Sequence, residues 1–146
     1  MRLVLDTDVV VAGLRSDRGA SRQLLMAALD RRIIVLASVP LFLEYEAVLT
    51  RPEQLLVTGL SVKETILFLD TLAAAIEEVV FRFLWKPQLR DPADEMVMET
   101  AVNGRADRIA TFNTRHLREA AGRFGIRAAR PGEICEELGR RHHEKK

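Results

Sequence analysis

Cysteine is almost missing from this 146-residue chain; Cys135 stands alone, so no internal disulfide can form. Neither that cysteine nor the histidines form a cluster of the kind that holds zinc. Long apolar runs are lacking as well. The longest are broken by charges well short of the length a membrane span needs. The opening strand is charged and carries no signal peptide, and with the lone thiol this gives the expectation of a cytoplasmic protein. An excess of one charge is lacking too: 22 basic residues face 21 acidic ones, net +1, so the chain as a whole does not advertise a polyanion partner. Internal repeats, low-complexity linkers and hairpin turns are absent. A single domain over 1–140 is expected, followed by a charged, frayed tail at 141–146.

What is present is an ordinary globular balance, with 48% apolar and 29% charged residues, and enough length to bury a core unaided. The charge is unevenly placed. Seven arginines (Arg105, Arg108, Arg115, Arg118, Arg123, Arg127, Arg130) crowd residues 105–130 against two acids, Asp107 and Glu119. Arginine's planar fork suits phosphate, although a solvated basic face explains the run equally well.

Strands and helices alternate along the chain. Arg2–Leu5 is a short apolar run ending on Asp6, and Val9–Leu14 stays apolar up to a loop around Ser16–Gly19. Ser21 caps a helix with the stripe Leu24, Leu25, Ala28 and Leu29. Ile33–Ala37 reads as a buried strand. Leu41, Tyr45, Val48 and Leu49 then mark a helix that stops at Arg51-Pro52. Ser61-x-x-Glu64 is a capping box ahead of an apolar helix running to about Ala75. Val79–Phe83 suggests a third strand. Asp91-Pro92 opens a helix ending near Asn103-Gly104. A strand follows at Asp107–Thr111, then a basic helix at 114–124, an edge strand at Ile126–Ala128 and a final helix at Pro131–Leu138. This order predicts an α/β fold, a three-layer α/β/α sandwich with a parallel sheet of about five strands. Ligands of such sheets bind outside the carboxyl ends of the strands, where Asp6, Ser38, Asp91 and Asn113 leave the sheet.

Asp6 alone is ambiguous, because a strand-end acid often just caps the next turn. Asp94 is more informative. It precedes Val97 by three residues, Met98 by four and Ala101 by seven, which puts a carboxylate on the core-facing stripe of its helix. Capping accounts for Asp91 better than for Asp94. Glu44 and Glu46 flank the stripe of the second helix from opposite sides, and periodicity does not choose between them. Three or four carboxylates at one sheet end make a site for a hard divalent cation such as Mg²⁺.

The segments Leu3-Val-Leu-Asp-Thr-Asp-Val-Val, Ser38 through Glu44-x-x-x-Val48-Leu49, Arg90-Asp-Pro-Ala-Asp-Glu-Met-Val and Ile109-Ala-Thr-Phe-Asn-Thr-Arg-His-Leu117 resemble, in order and spacing, the PIN domain family. The likeness is greatest to the toxin ribonucleases of VapBC-like toxin–antitoxin systems, and the closing Ala129-Arg-Pro-Gly-Glu is similar too. The resemblance implies Mg²⁺- or Mn²⁺-dependent hydrolysis of RNA phosphodiesters, a cognate antitoxin, a homodimer and no membrane partner. It implies catalytic and metal-binding roles for Asp6, Glu44 and Asp94, and so favours Glu44 over Glu46. It also brings Asp91 and Asn113 to the metal site, Asp91 through water. Asn113 stands where the family's fourth acid is usual, Asp8 where Asn is usual, and His116 where many relatives carry Asp. Asp8 is then expected to join the site or to cap the following helix. Thr7, Arg90 and Arg115 are candidates for contact with nucleic acid. Trp85, Lys86 and Arg118 are weaker ones.

Other readings compete. Asp6-Thr-Asp8 fits the nucleophile pair of a HAD-type phosphatase, but neither Lys63 nor Lys86 lies in fitting context for its lysine. A response-regulator receiver would need a late lysine that the Thr111 strand does not supply. A catalytically weak module of the same fold, binding RNA or a partner's arginine in its acidic cleft, is the third reading.

Overall fold

The computed structural model describes residues 1–82, 87 and 89–144. Its strands are β1 (Arg2–Leu5), β2 (Ile34–Ala37), β3 (Ile76–Glu78), β4 (Arg108–Ala110) and β5 (Arg127–Ala129). They form one parallel sheet in the order β3-β2-β1-β4-β5. The helices are α1 (Thr7–Arg15), α2 (Ala20–Leu29), α3 (Val39–Leu49), α4 (Pro52–Thr58), α5 (Val62–Ala75), α6 (Pro92–Asn103), α7 (Thr114–Gly122) and α8 (Pro131–Glu144).

The three central strands are short and almost wholly buried: Leu3, Val4, Leu5, Val35, Leu36, Ala37, Ile109 and Ala110 are all core residues. Burial on both faces is why they read as unbroken apolar runs rather than alternating ones. The chain leaves β1 toward β2 and β3, then returns across the sheet to β4 and β5. Because crossovers are right-handed, reversing direction puts the later helices on the opposite face. α2 packs on α1, α5 and α8, while α6 covers β1, β2 and β4 beside α7, giving the expected three layers.

Four elements depart from the pattern read in the sequence; Ser21, read as a cap, lies inside α2, whose N-cap is Gly19. The third strand is Ile76–Glu78, not Val79–Phe83; only the Val79 N–H extends its ladder, donating to the Ala37 carbonyl at 2.9 Å. β3 is a sheet edge, where charge is tolerated, and Glu77 is held by Arg2 at 2.6 Å. Its polar sequence therefore hid it, and Phe83 lies outside the described residues. Pro52 does not simply end a helix; it takes the first position of α4, which closes on the left-handed Gly59 (φ 75°). The charged stretch after 140 stays helical through Glu144. The capping box is formed as read, with Ser61 Oγ accepting from Glu64 N–H and Glu64 accepting from Ser61 N–H.

Candidate active site

The strand order reverses between β1 and β4, and the crevice at their carboxyl ends is where a parallel α/β sheet places its ligand. Asp6 follows β1 and Thr111 follows β4, and the two meet across this crevice. Thr111 Oγ1 donates to Asp6 Oδ2 at 2.7 Å, and the Asp6 backbone N–H donates to the Ala110 carbonyl at 2.9 Å. Asp6 Oδ1 accepts from Thr7 N–H at 2.8 Å, making Asp6 the N-cap of α1. Capping and site membership are thus not alternatives here, because each oxygen serves one of them. Burial pushes the Asp6 carboxyl up; the Thr111 and Thr7 bonds oppose this, and the charge of Asp91 adds to it.

Asp94 is buried, at 6% exposure, as its place on the α6 stripe predicts. Burial, then the charges of Asp6 and Asp91, raise its pKa against the pull of His116. His116 Nδ1 lies 3.7 Å from Asp94 Oδ2 and 2.9 Å from the Asn113 side-chain nitrogen. Asn113 sits at the start of α7 with its backbone N–H on Thr111 Oγ1 at 2.9 Å, so its amide side chain is engaged with His116. Asp91 is exposed and caps α6 through Ala93 N–H at 2.8 Å.

Asp8 lies in the first turn of α1, and its Oδ2 accepts from Phe112 N–H at 3.2 Å, tying α1 to the loop after β4. Its Oδ1 is buried, and among the described residues it has no hydrogen-bond partner. Burial first, then the charge of Asp6, pushes the Asp8 carboxyl up to about 6.

α3 is tied to this end of the sheet through Tyr45. The buried Tyr45 hydroxyl donates to the Leu5 carbonyl at 2.5 Å, immediately before Asp6, and is itself driven upward in pKa by burial and by the Asp6 charge. Glu44 beside it is half-buried, whereas Glu46 is exposed. Ser38 caps α3 through Leu41 N–H at 3.3 Å and meets Thr100 Oγ1 at 2.7 Å in the interior, which is a positioning role. Thr7 is half-buried, and Arg90, Arg115 and Arg118 are exposed; Trp85 and Lys86 lie outside the described residues. Part of the basic run is spent on structure. Arg108 grips Glu137 with two bonds at 2.7 and 3.0 Å, Arg127 meets Glu133 at 3.2 Å and Arg123 meets Glu119 at 3.0 Å.

The donor set suits a hard cation: carboxylates that raise one another's pKa, one orphaned buried oxygen, and no thiolate nearby. As placed, however, no three His, Cys, Asp or Glu side chains among the described residues converge closely enough to hold an ion. The sequence had pointed to Asp6 and Asp94 but not to Thr111 as the partner of Asp6, nor to the Asp8 link to Phe112. The available signal was the matching position of Asp6 and Thr111, each directly after a buried strand.

A family model described as a PIN domain matches residues 2–115, a span that begins with β1 and contains Asp6, Asp8, Glu44, Asp91, Asp94 and Asn113. No curated protein and no solved structure matches the chain.

Proposed function

The chain belongs to the PIN domain family, whose members are generally nucleases, and we propose that it is a Mg²⁺- or Mn²⁺-dependent endoribonuclease acting as the toxin of a toxin–antitoxin pair. The observation that carries this reading is the placement of Asp6. It is buried at the switch point of the sheet and locked by Thr111 and Thr7, with the charges of Asp8, Asp91 and Asp94 close enough to perturb or be perturbed by it. Bringing acids together at such electrostatic cost is characteristic of functional sites.

In this proposal Asp6, Glu44 and Asp94 hold the metal and carry catalysis, with Asp91 and Asn113 at its periphery. The bound ion supplies an activated water and neutralises charge building on the phosphodiester. The chain's own part is orientation. Thr111 and Thr7 fix both oxygens of Asp6, while the Tyr45 hydroxyl anchors α3, and with it Glu44, to the end of β1. Thr7, Arg90 and Arg115 meet the phosphate backbone in this proposal. The family assignment leaves the phosphatase reading of Asp6-Thr-Asp8 without support.

Asp6→Asn keeps the size and removes the charge; its one oxygen still accepts from Thr7 N–H, while its NH2 meets Thr111 Oγ1 as a donor. Wild type is expected to cleave RNA with Mg²⁺ or Mn²⁺, and Asp6→Asn to lose at least a hundred-fold in rate. Equal activity in both, or none in either, overturns the assignment. The last outcome favours the binding-module reading, which has its own observation: Asn113 replaces an acid, and its amide is engaged with His116. The homodimer belongs to this proposal too. Val39 and Leu43 on α3, Leu56 and Val57 on α4, and Val62 and Leu67 on α5 are all exposed.

A further inference from the structure

Phe112 and Arg130 stand at the carboxyl ends of the neighbouring strands β4 and β5, one residue beyond Thr111 and Ala129. Phe112 is 38% exposed, an apolar residue left at the surface next to Thr111, whose hydroxyl holds Asp6. Its backbone is fixed on the site itself, since its N–H donates to Asp8 Oδ2. The Arg130 guanidinium carbon lies 5.4 Å from the Phe112 ring centroid, within cation–π range. Glu133, the nearest acid along the chain, is spent on Arg127 and on the Arg130 backbone N–H, each at 3.2 Å, so the Arg130 side chain is turned to the ring instead.

An exposed aromatic ring with a cation over it, one residue from the Thr111 that holds Asp6, is a pairing that receives an unpaired base and its phosphate. A duplex keeps its bases stacked within the helix and cannot present one to such a ring. Resting on the nuclease reading above, we propose that Phe112 stacks an unpaired nucleobase next to the scissile phosphate while Arg130 holds the adjoining phosphate.

Binding is measured on the full chain carrying Asp6→Asn, so that cleavage does not interfere. The readout is fluorescence anisotropy with a single-stranded RNA, the same strand with abasic positions, and its duplex. Phe112→Leu is expected to weaken single-strand binding about ten-fold, the size of one lost base–aromatic stack. Phe112→Trp should restore it. Arg130→Gln should weaken binding and flatten its salt dependence. On the abasic strand Phe112→Leu and its parent should bind alike. Undiminished binding by Phe112→Leu overturns the stacking role, as does an equal loss on intact and abasic strands, which marks a loop-ordering role. Tighter binding of the duplex than of the single strand overturns the stacking of an unpaired base. Failure of the nuclease reading shows separately, as absence of cleavage by the protein with Asp6 intact.

Discussion

Asp8 shows at the scale of one residue how the site stores electrostatic cost. One of its oxygens accepts from Phe112 N–H while the other is buried without a partner among the described residues. Its folded pKa is about 6 against an ordinary 3.8. A raised acid binds a proton in the native state that the unfolded chain has already lost, so its contribution to stability falls as pH rises from about 3.8 to about 6 and stays unfavourable above that. Asp8→Asn keeps an acceptor for Phe112 and removes the charge. In EDTA at neutral pH it should stabilise the fold by ~1–2 kcal/mol, below the full pKa equivalent because Asp8 is partly solvated. The advantage over wild type should fade as pH falls from about 6 to about 4. Denaturant melts of both proteins across that range check this, and a destabilised Asp8→Asn at neutral pH refutes it.

Among the elements, α6 carries the sharpest sequence signal. Asp94 on its apolar stripe was legible, because a carboxylate at core spacing breaks the pattern a packing helix needs. Gly104 closes the helix as the sequence indicates, although its φ of −86° needs no glycine. It is small for another reason. A Cβ there would meet Val79 Cγ2 at 2.8 Å, Leu36 Cδ1 at 3.1 Å and the Thr100 carbonyl at 3.1 Å, all of which pack where β2 passes beneath. Gly104→Ala should therefore cost ~1–3 kcal/mol by overpacking, despite alanine's better helix propensity. Equilibrium unfolding measures it, and an unchanged or improved stability contradicts the close approach. β3 is the opposite case. Ile76-Glu77-Glu78 lacks any strand pattern, and it forms because it completes a sheet edge whose charge Arg2 balances.

For the whole molecule, the net charge of +1 concealed a division of labour. Arg108, Arg123 and Arg127 hold acids of α7 and α8, while Arg115 and Arg118 remain exposed on α7. The apolar surplus is likewise unevenly spread. Leu56 is 85% exposed and Leu67 67%, on helices α4 and α5 that follow one another. Faces of this kind are commonly covered by a partner, and for the proposed homodimer sedimentation at micromolar concentration should give twice the chain mass. Leu67→Glu should shift the protein toward monomer without lowering its melting temperature in the monomeric state. A wild-type monomer at that concentration disproves the dimer. None of the helices among the described residues is long and apolar enough to cross a membrane.

Local chemistry was enough to determine the parallel α/β class, the core strands β1, β2 and β4, the capping box of α5 and the burial of Asp94. In each, the evidence lies within a few consecutive residues as an apolar run, a cap or a spacing. Tertiary structure decided what depends on partners far apart in the chain. It joined Asp6 to Thr111 and Asp8 to Phe112, left Glu44 half-buried and Glu46 exposed, placed a charged strand at the sheet edge, and turned Arg130 onto Phe112. Those contacts span from 18 to more than 100 residues of sequence, and only the crossing of β4 back beside β1 brings most of them together.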